Sequence, residues 1–437
     1  MKRIISVCLI FALALSLFSC GASYDRFSVA EASPKMNVTH ADYKQDGYEA
    51  FIDKLSAFSA RLTSEVLSSN ENDENAVISP LSIYMALALA VECAEGETRD
   101  EILSAVGVTY EEVERFTSYL YAFSNRDFKY VNPMGDDKTL AFEELSNSLW
   151  ADDALALRDA GVRKLADSYN CDLFRVDFGS GEARRAIGAY IKDKTHGLVD
   201  GDVEFSPETI ITLINTFYLK EVWNSDGDEL KLTADKYDFL QGDGEVESTK
   251  LLMGYYLGGK AYDGDGYSAF YTKTNHAFSI KFILPDDGVS ISDVFTAENI
   301  YTVNSITDWG REDHENRLLH STRVFFPEYE AEFDDDIKGS LKNLGINKLF
   351  DRTAADLSGI TDMPAYCSSV IHKCSLEVDK QGIEGAAVTI MALDGAAGPG
   401  VDEYEEVYHD FIVDRAFGFV ITDSYGAVLF SGVVNEI

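Results

Sequence analysis

Seven histidines and six cysteines are the readiest groups for catalysis or metal binding in this 437-residue chain, and their spacing builds neither. No G-x-S-x-G elbow, H-E-x-x-H helix, phosphate-binding glycine loop or C-x-x-C pair occurs. His314-Glu315 opens like a zinc helix but lacks the second histidine. Asp263-Gly264-Asp265-Gly266 lacks the closing bidentate acid of a calcium loop and reads as a hairpin turn. Cys93, Cys171, Cys367 and Cys374 fit neither a metal site nor a disulfide framework and read as buried thiols. The expectation is a protein that is not an enzyme, with no catalytic residue, metal or cofactor. One segment stands out instead. From Ile383 to Leu393 the residues are small or apolar and contain no proline, which would block sheet hydrogen bonds. Read as a strand, Ile383, Gly385, Ala387, Thr389, Met391 and Leu393 share one uncharged face. Glu384, Ala386, Val388, Ile390, Ala392 and Asp394 share the other, so both charges fall on one side. The run Val388-Thr389-Ile390-Met391 is β-branched where a linker would be polar. Extended, these residues reach about 36 Å, enough to run along a long sheet.

The elements that must present such a segment are legible in outline. Phe51, Leu55, Phe58, Leu62 and Val66 recur at helical spacing. Ala76-Val77-Ile78 reads as a short buried strand, and Ser79-Pro80 as the N-cap and first residue of a helix. That helix, Leu81 to Cys93, is apolar on nearly every face and so belongs inside a large domain. Thr98-Arg99-Asp100-Glu101 reads as a capping box that opens a third helix. Strand-like runs lie at 146–150, 173–178, 210–218, 278–284, 323–327, 369–378, 411–413, 419–423 and 428–433, with helices around 160–169, 183–195 and 336–344. They do not alternate regularly, which predicts α+β rather than a doubly wound sheet. Hydrophobic residues at 46% and aromatics at 12% supply a core. Asp and Glu outnumber Lys and Arg by 75 to 37, a net charge of −38 that argues against nucleic acid and fits a solvating coat or a basic partner.

The first residues read as an export signal: Lys2 and Arg3 precede an apolar stretch, Ile4 to Phe18, too short to span a bilayer comfortably. Leu17-Phe18-Ser19-Cys20 resembles the lipobox of bacterial lipoproteins, which implies a lipid on Cys20 and a cell-surface anchor. Phe18 is bulkier than the residue usual there, so cleavage near Ala22 and secretion stay open. Residues 21–46 read as a tether, and 47–437 as one domain.

Asn75-Ala76-Val77-Ile78-Ser79-Pro80-Leu81-Ser82-Ile83 resembles the signature opening of the serpins. The likeness continues in order through Glu95-Gly96-Glu97-Thr98, Leu213–Tyr218 with Trp223, Leu344-Gly345-Ile346, Ala355–Ile360 and Ile371-His372-Lys373. It ends with Glu377-Val378-Asp379-Lys380-Gln381-Gly382 and Phe411–Phe417. The resemblance implies an α+β serpin fold of three β-sheets, eight or nine helices and an exposed reactive-centre loop, here about 382–409. It implies a serine protease inhibitor acting as a suicide substrate, with a non-inhibitory surface-binding or structural serpin as the alternative. Carried over by position, Ser79, Ser82, Asn215 and His372 resemble the polar cluster beneath the main sheet, and Trp223 the aromatic where insertion begins. The loop hinge becomes Gly382, Ile383, Glu384, Gly385, Ala386 and Ala387, and the reactive bond Ala396–Ala397. A small residue before the cut implies an elastase-like or subtilisin-like target. The expected partner set is that protease, no nucleic acid and a membrane only through the lipid, with the protein a monomer. Departures are Lys380 for a usual Glu, Ile383 and Gly385 for Thr and Ala, Glu221 and Cys93 for Gly, Ala416 and Gly418 in the C-terminal signature, and a long acidic stretch at 398–409. The hinge changes predict slower insertion.

Overall fold

A computed structural model describes residues 24–32, 45–68, 74–125, 127–131, 137–199, 201, 203–206, 208–223, 229–276, 278–384 and 404–437, with the backbone alone at 127–131 and 137–142. Cys20, Gly385, Ala386, Ala387, Ala396 and Ala397, and most of the expected tether and loop, lie outside them.

The main sheet has eight strands: β1 (Ser28–Ala30), β2 (Asp127–Val131), β3 (Asp137–Asp152), β4 (Cys171–Val176), β5 (Ile211–Val222), β6 (Tyr329–Asp336), β7 (Ile371–Val378) and β8 (Gly382–Glu384). Their order is β1-β4-β3-β5-β8-β7-β6, with β2 paired to β3 and only β3–β4 parallel. Alternating burial along β6 and β7 shows why the sheet can face water on one side. A second sheet orders strands 262–263, 267–273, 279–285, 417–422, 428–434 and 76–78. Its strands 279–285 and 417–422 are buried at every residue, as befits the middle layer. In a third sheet, strand 405–412 runs parallel to 318–326.

Nine α-helices occur among the described residues: α1 (Tyr48–Ser68), α2 (Pro80–Cys93), α3 (Gly96–Val106), α4 (Tyr110–Phe123), α5 (Asp159–Ser168), α6 (Gly181–Lys194), α7 (Ile291–Val294), α8 (Ala297–Ser305) and α9 (Lys338–Asn343). Ser79 caps α2 by accepting the Ser82 N–H, and Pro80 occupies its first turn, as the sequence predicts. Cys93, Cys171, Cys367 and Cys374 are buried and free, and residues 262–273 form the expected hairpin through Gly266 at φ +79°.

Two expectations change. Thr98 does not open α3, which begins at Gly96; its hydroxyl instead accepts the Asp356 N–H, drawn away by a loop distant in sequence. Part of the expected tether is folded: β1 pairs with β4, and Tyr24 is buried against Phe174 and Tyr190 with its hydroxyl on Asp193 of α6 at 2.5 Å. No described helix is long and apolar enough to cross a membrane.

Candidate functional site

The chain turns back on itself at the end of β7 and enters the main sheet again as β8. Asp379 makes this turn: its carboxylate accepts the N–H groups of Gln381 (2.7 Å) and Gly382 (2.9 Å), and its own N–H donates to the Gly382 carbonyl. Trp223 locks the turn from β5, donating its indole N–H to the Asp379 carbonyl at 2.7 Å while its ring packs edge-on to Phe326. Lys380 lies outside, bridging to Glu229 at 3.0 Å, and its carbonyl accepts the Leu230 N–H.

From there β8 fills the space between two strands. Gly382, Ile383 and Glu384 lie opposite Val222, Glu221 and Lys220 of β5, while Ile383 and Glu384 also face Val378 and Glu377 of β7. Only glycine fits at the entry, because a Cβ on Gly382 would stand 1.6 Å from the Glu221 carbonyl oxygen. Ile383 points into the core at 2% exposure. Glu384 points out and is held by Lys220 (2.5 Å) and the Tyr218 hydroxyl (2.6 Å). Partial burial works to raise the Glu384 carboxyl, but those hydrogen bonds outweigh it and hold the group below its ordinary range. The two-faced reading of the segment therefore holds for the two residues that can be tested. Ile383, expected to slow insertion, gains apolar burial of about 1.5–3 kcal/mol when seated.

Below β8, β5 and β7 flank a narrow cavity of about 40 Å³. Ser79, Ser82, Asn215 and His372 all line it, so the structure brings these four together; Trp223 stands apart, at the turn. The Ser79 N–H donates to His372 Nε2 at 3.1 Å, which requires a neutral ring. Burial depresses the His372 pKa to about 4. Asn215 donates to the Ser146 carbonyl at 3.2 Å and to Asn147 Oδ1 at 2.5 Å, and Asn147 donates to the Tyr169 carbonyl at 2.8 Å. Asn147 and Tyr218 are the members that sequence reading missed. An asparagine inside the expected strand 146–150 was the available signal for the first, and the structure buries it at 1% exposure. Ile191, Leu198, Val199, Val203 and Phe205, from α6 and the loop after it, cover the cavity. Among the departures, Glu221 is buried and accepts the Val222 N–H, and Cys93 is accommodated because Gly359 makes the close approach to its backbone. Chemically the site offers no nucleophile paired with a base; it offers open strand edges in register and a chain already threaded between them.

A family model described as "Serpin (serine protease inhibitor)" matches residues 53–437. Iripin-1 of Ixodes ricinus is 28% identical over 376 residues, covering 84% of this chain and 90% of that protein. The crystal structure of the thermophilic serpin tengpin in its native state superposes with a TM-score of 0.68 at 22% identity, covering 95% of this chain and 99% of tengpin. A structure of thyroxine-binding globulin with thyroxine gives 0.67 at 20% identity, covering 89% and 99%.

Proposed function

The chain belongs to the serpin family, and from that premise we propose that it inhibits a serine protease as a suicide substrate. The target's serine oxygen attacks the Ala396 carbonyl and forms an acyl bond, the Ala396–Ala397 peptide bond breaks, and the Ala397 amine leaves with the proton that the serine hydroxyl gave up. The freed segment from Gly385 onward then follows Glu384 into the sheet and carries the acyl-enzyme with it before water can complete hydrolysis. The observation that carries this reading is β8 itself, hydrogen-bonded on both sides between β5 and β7. From Leu219 to Thr212, β5 offers a further edge of about 26 Å at 3.3 Å per residue, close to the length of segment 385–393, before Ile211 bridges to Cys367. The drive is strand addition by a molecule whose native state is kept by kinetics rather than equilibrium.

Small residues around the cut suit an elastase-like or subtilisin-like enzyme with a shallow pocket. We place the protein outside the cell, held at a bacterial surface by lipid on Cys20 and acting as a monomer. Mixing the full-length chain with such proteases and running denaturing gels tests the proposal. A band at the summed mass that survives boiling is the expected result; clean cleavage near Ala396 with full protease activity would reject it. A second reading, a non-inhibitory binding protein, draws support from the likeness to thyroxine-binding globulin.

A further inference from the structure

The register of the main sheet sets three carboxylates in one row at the point where β8 enters. Glu330 of β6 lies opposite Glu377 of β7, Glu377 lies opposite Glu384 of β8, and Glu384 lies opposite Lys220 of β5. Directly paired residues of antiparallel strands share a face, and like charges so placed repel. The adjoining row, Tyr329, Val378 and Ile383, faces the core and is buried. Among the described residues, the cation paired with this row is at its Glu384 end: Lys220 bridges Glu384 at 2.5 Å, and Tyr218 adds its hydroxyl. Toward the other end, the cleft beside Glu377 is lined by Glu74, Glu328, Glu330, Glu332, Asp379 and Glu436. His196, its ring tilted against Tyr218, lies 3.1 Å from Glu144, which stands opposite Tyr218 on β3.

Seating the hinge thus does two opposed things. It buries Ile383 and closes the Glu384–Lys220 bridge, and it drives the Glu384 carboxylate against Glu377. We infer that Glu377 acts as a charge gate on the hinge, opposed by Lys220, and that the balance between them sets how readily the chain beyond Glu384 enters the sheet. The inference rests on the insertion reading above and names the residues that would tune it, dividing the encounters that trap a protease from those that merely cut the loop.

A pH dependence follows. Burial raises the Glu377 carboxyl, and Asp379, Glu330 and Glu384 add to the rise, while Lys220 only partly offsets it. Because Glu384 is among the causes, Glu377 holds its proton to higher pH when the hinge is seated than when it is not. Lowering the pH from neutral through the upper carboxylate range therefore favours seating. Glu384, held below its ordinary range, keeps its charge and its bridge until stronger acid.

The test is hydrogen exchange on the full-length chain at pH 7.5 and 5.5, with no protease present and rates corrected for the intrinsic effect of pH. The readout is the protection of the Gly382–Glu384 amides and of the β5 and β7 amides opposite. At pH 7.5 Glu377→Gln should raise hinge protection about two- to fivefold, and Lys220→Gln should lower it by a similar factor. Wild type should gain protection on going to pH 5.5, and Glu377→Gln should not. Equal protection in wild type and Glu377→Gln at both pH values would overturn the gate, as would both substitutions moving protection the same way. Hinge amides unprotected in every variant would overturn the insertion reading as well. A gate that behaves as expected in a protein forming no covalent complex would reject inhibition alone.

Discussion

At Gly382 one methyl group decides whether the hinge can seat, since the Glu221 carbonyl stands 1.6 Å from where a Cβ would be. A forced clash of this kind costs about 1–3 kcal/mol, so Gly382→Ala should shift the outcome from covalent complex toward cleaved inhibitor about tenfold, read as the ratio of the two bands on a denaturing gel. His372 carries the second prediction at this scale. Its folded pKa of about 4 lies below the ordinary 6.5 of an unfolded chain, so the unfolded state takes up the proton first. Stability is then full above about pH 6.5 and falls as pH drops toward 4, by about 3 kcal/mol in all. His372→Gln should flatten that slope, seen as urea midpoints at pH 7 and pH 4.5 that differ less than in wild type. Both residues were found from sequence, and by the same route. His372 came from its place in a family block. Gly382 came the same way, and its physical necessity shows only once β5 is beside it.

The elements fall into those whose pattern is their own and those that borrow stability from elsewhere. Helix α2 is buried on nearly every face and was legible because fourteen residues with only Ser82 and Glu92 strongly polar leave little alternative. Thr98 misled because a capping box is a local signal, and a loop 258 residues away competes for the same hydroxyl. Strand β1 was missed because three residues show no alternation; it forms on an edge that β4 provides, with Ala32 donating its N–H to Asp172 at 2.9 Å. Tyr24 fills a separate aromatic cluster with Trp150, Phe174 and Tyr190 beneath α6. Truncating such a buried ring costs about 3 kcal/mol. Tyr24→Ala should therefore speed amide exchange in β4 and α6 and lower the midpoint of chemical unfolding. An unchanged midpoint would mean that the segment contributes nothing to the fold.

Across the whole molecule, the fold class and the order of most elements were readable because nearly four hundred residues of ordered blocks leave few competing architectures. What the sequence could not carry was register. The row Glu330–Glu377–Glu384–Lys220 joins residues from four strands and exists only when they are paired. Asn147 likewise joins the Asn215 cluster because β3 and β5 pair with these two residues opposite each other, rather than through spacing. The polar cluster that does carry over by position, from Ser79 to His372, gathers around the cavity between β5 and β7, where a new strand would have to pass. Strand addition there would give the segment after Glu384 two full sets of backbone partners in place of water, so the cleaved molecule should be far more stable than the intact one. The most direct measurement is the melting temperature before and after a single cut between residues 385 and 403. A rise of tens of degrees is the result this account predicts, and an unchanged melting temperature would contradict it.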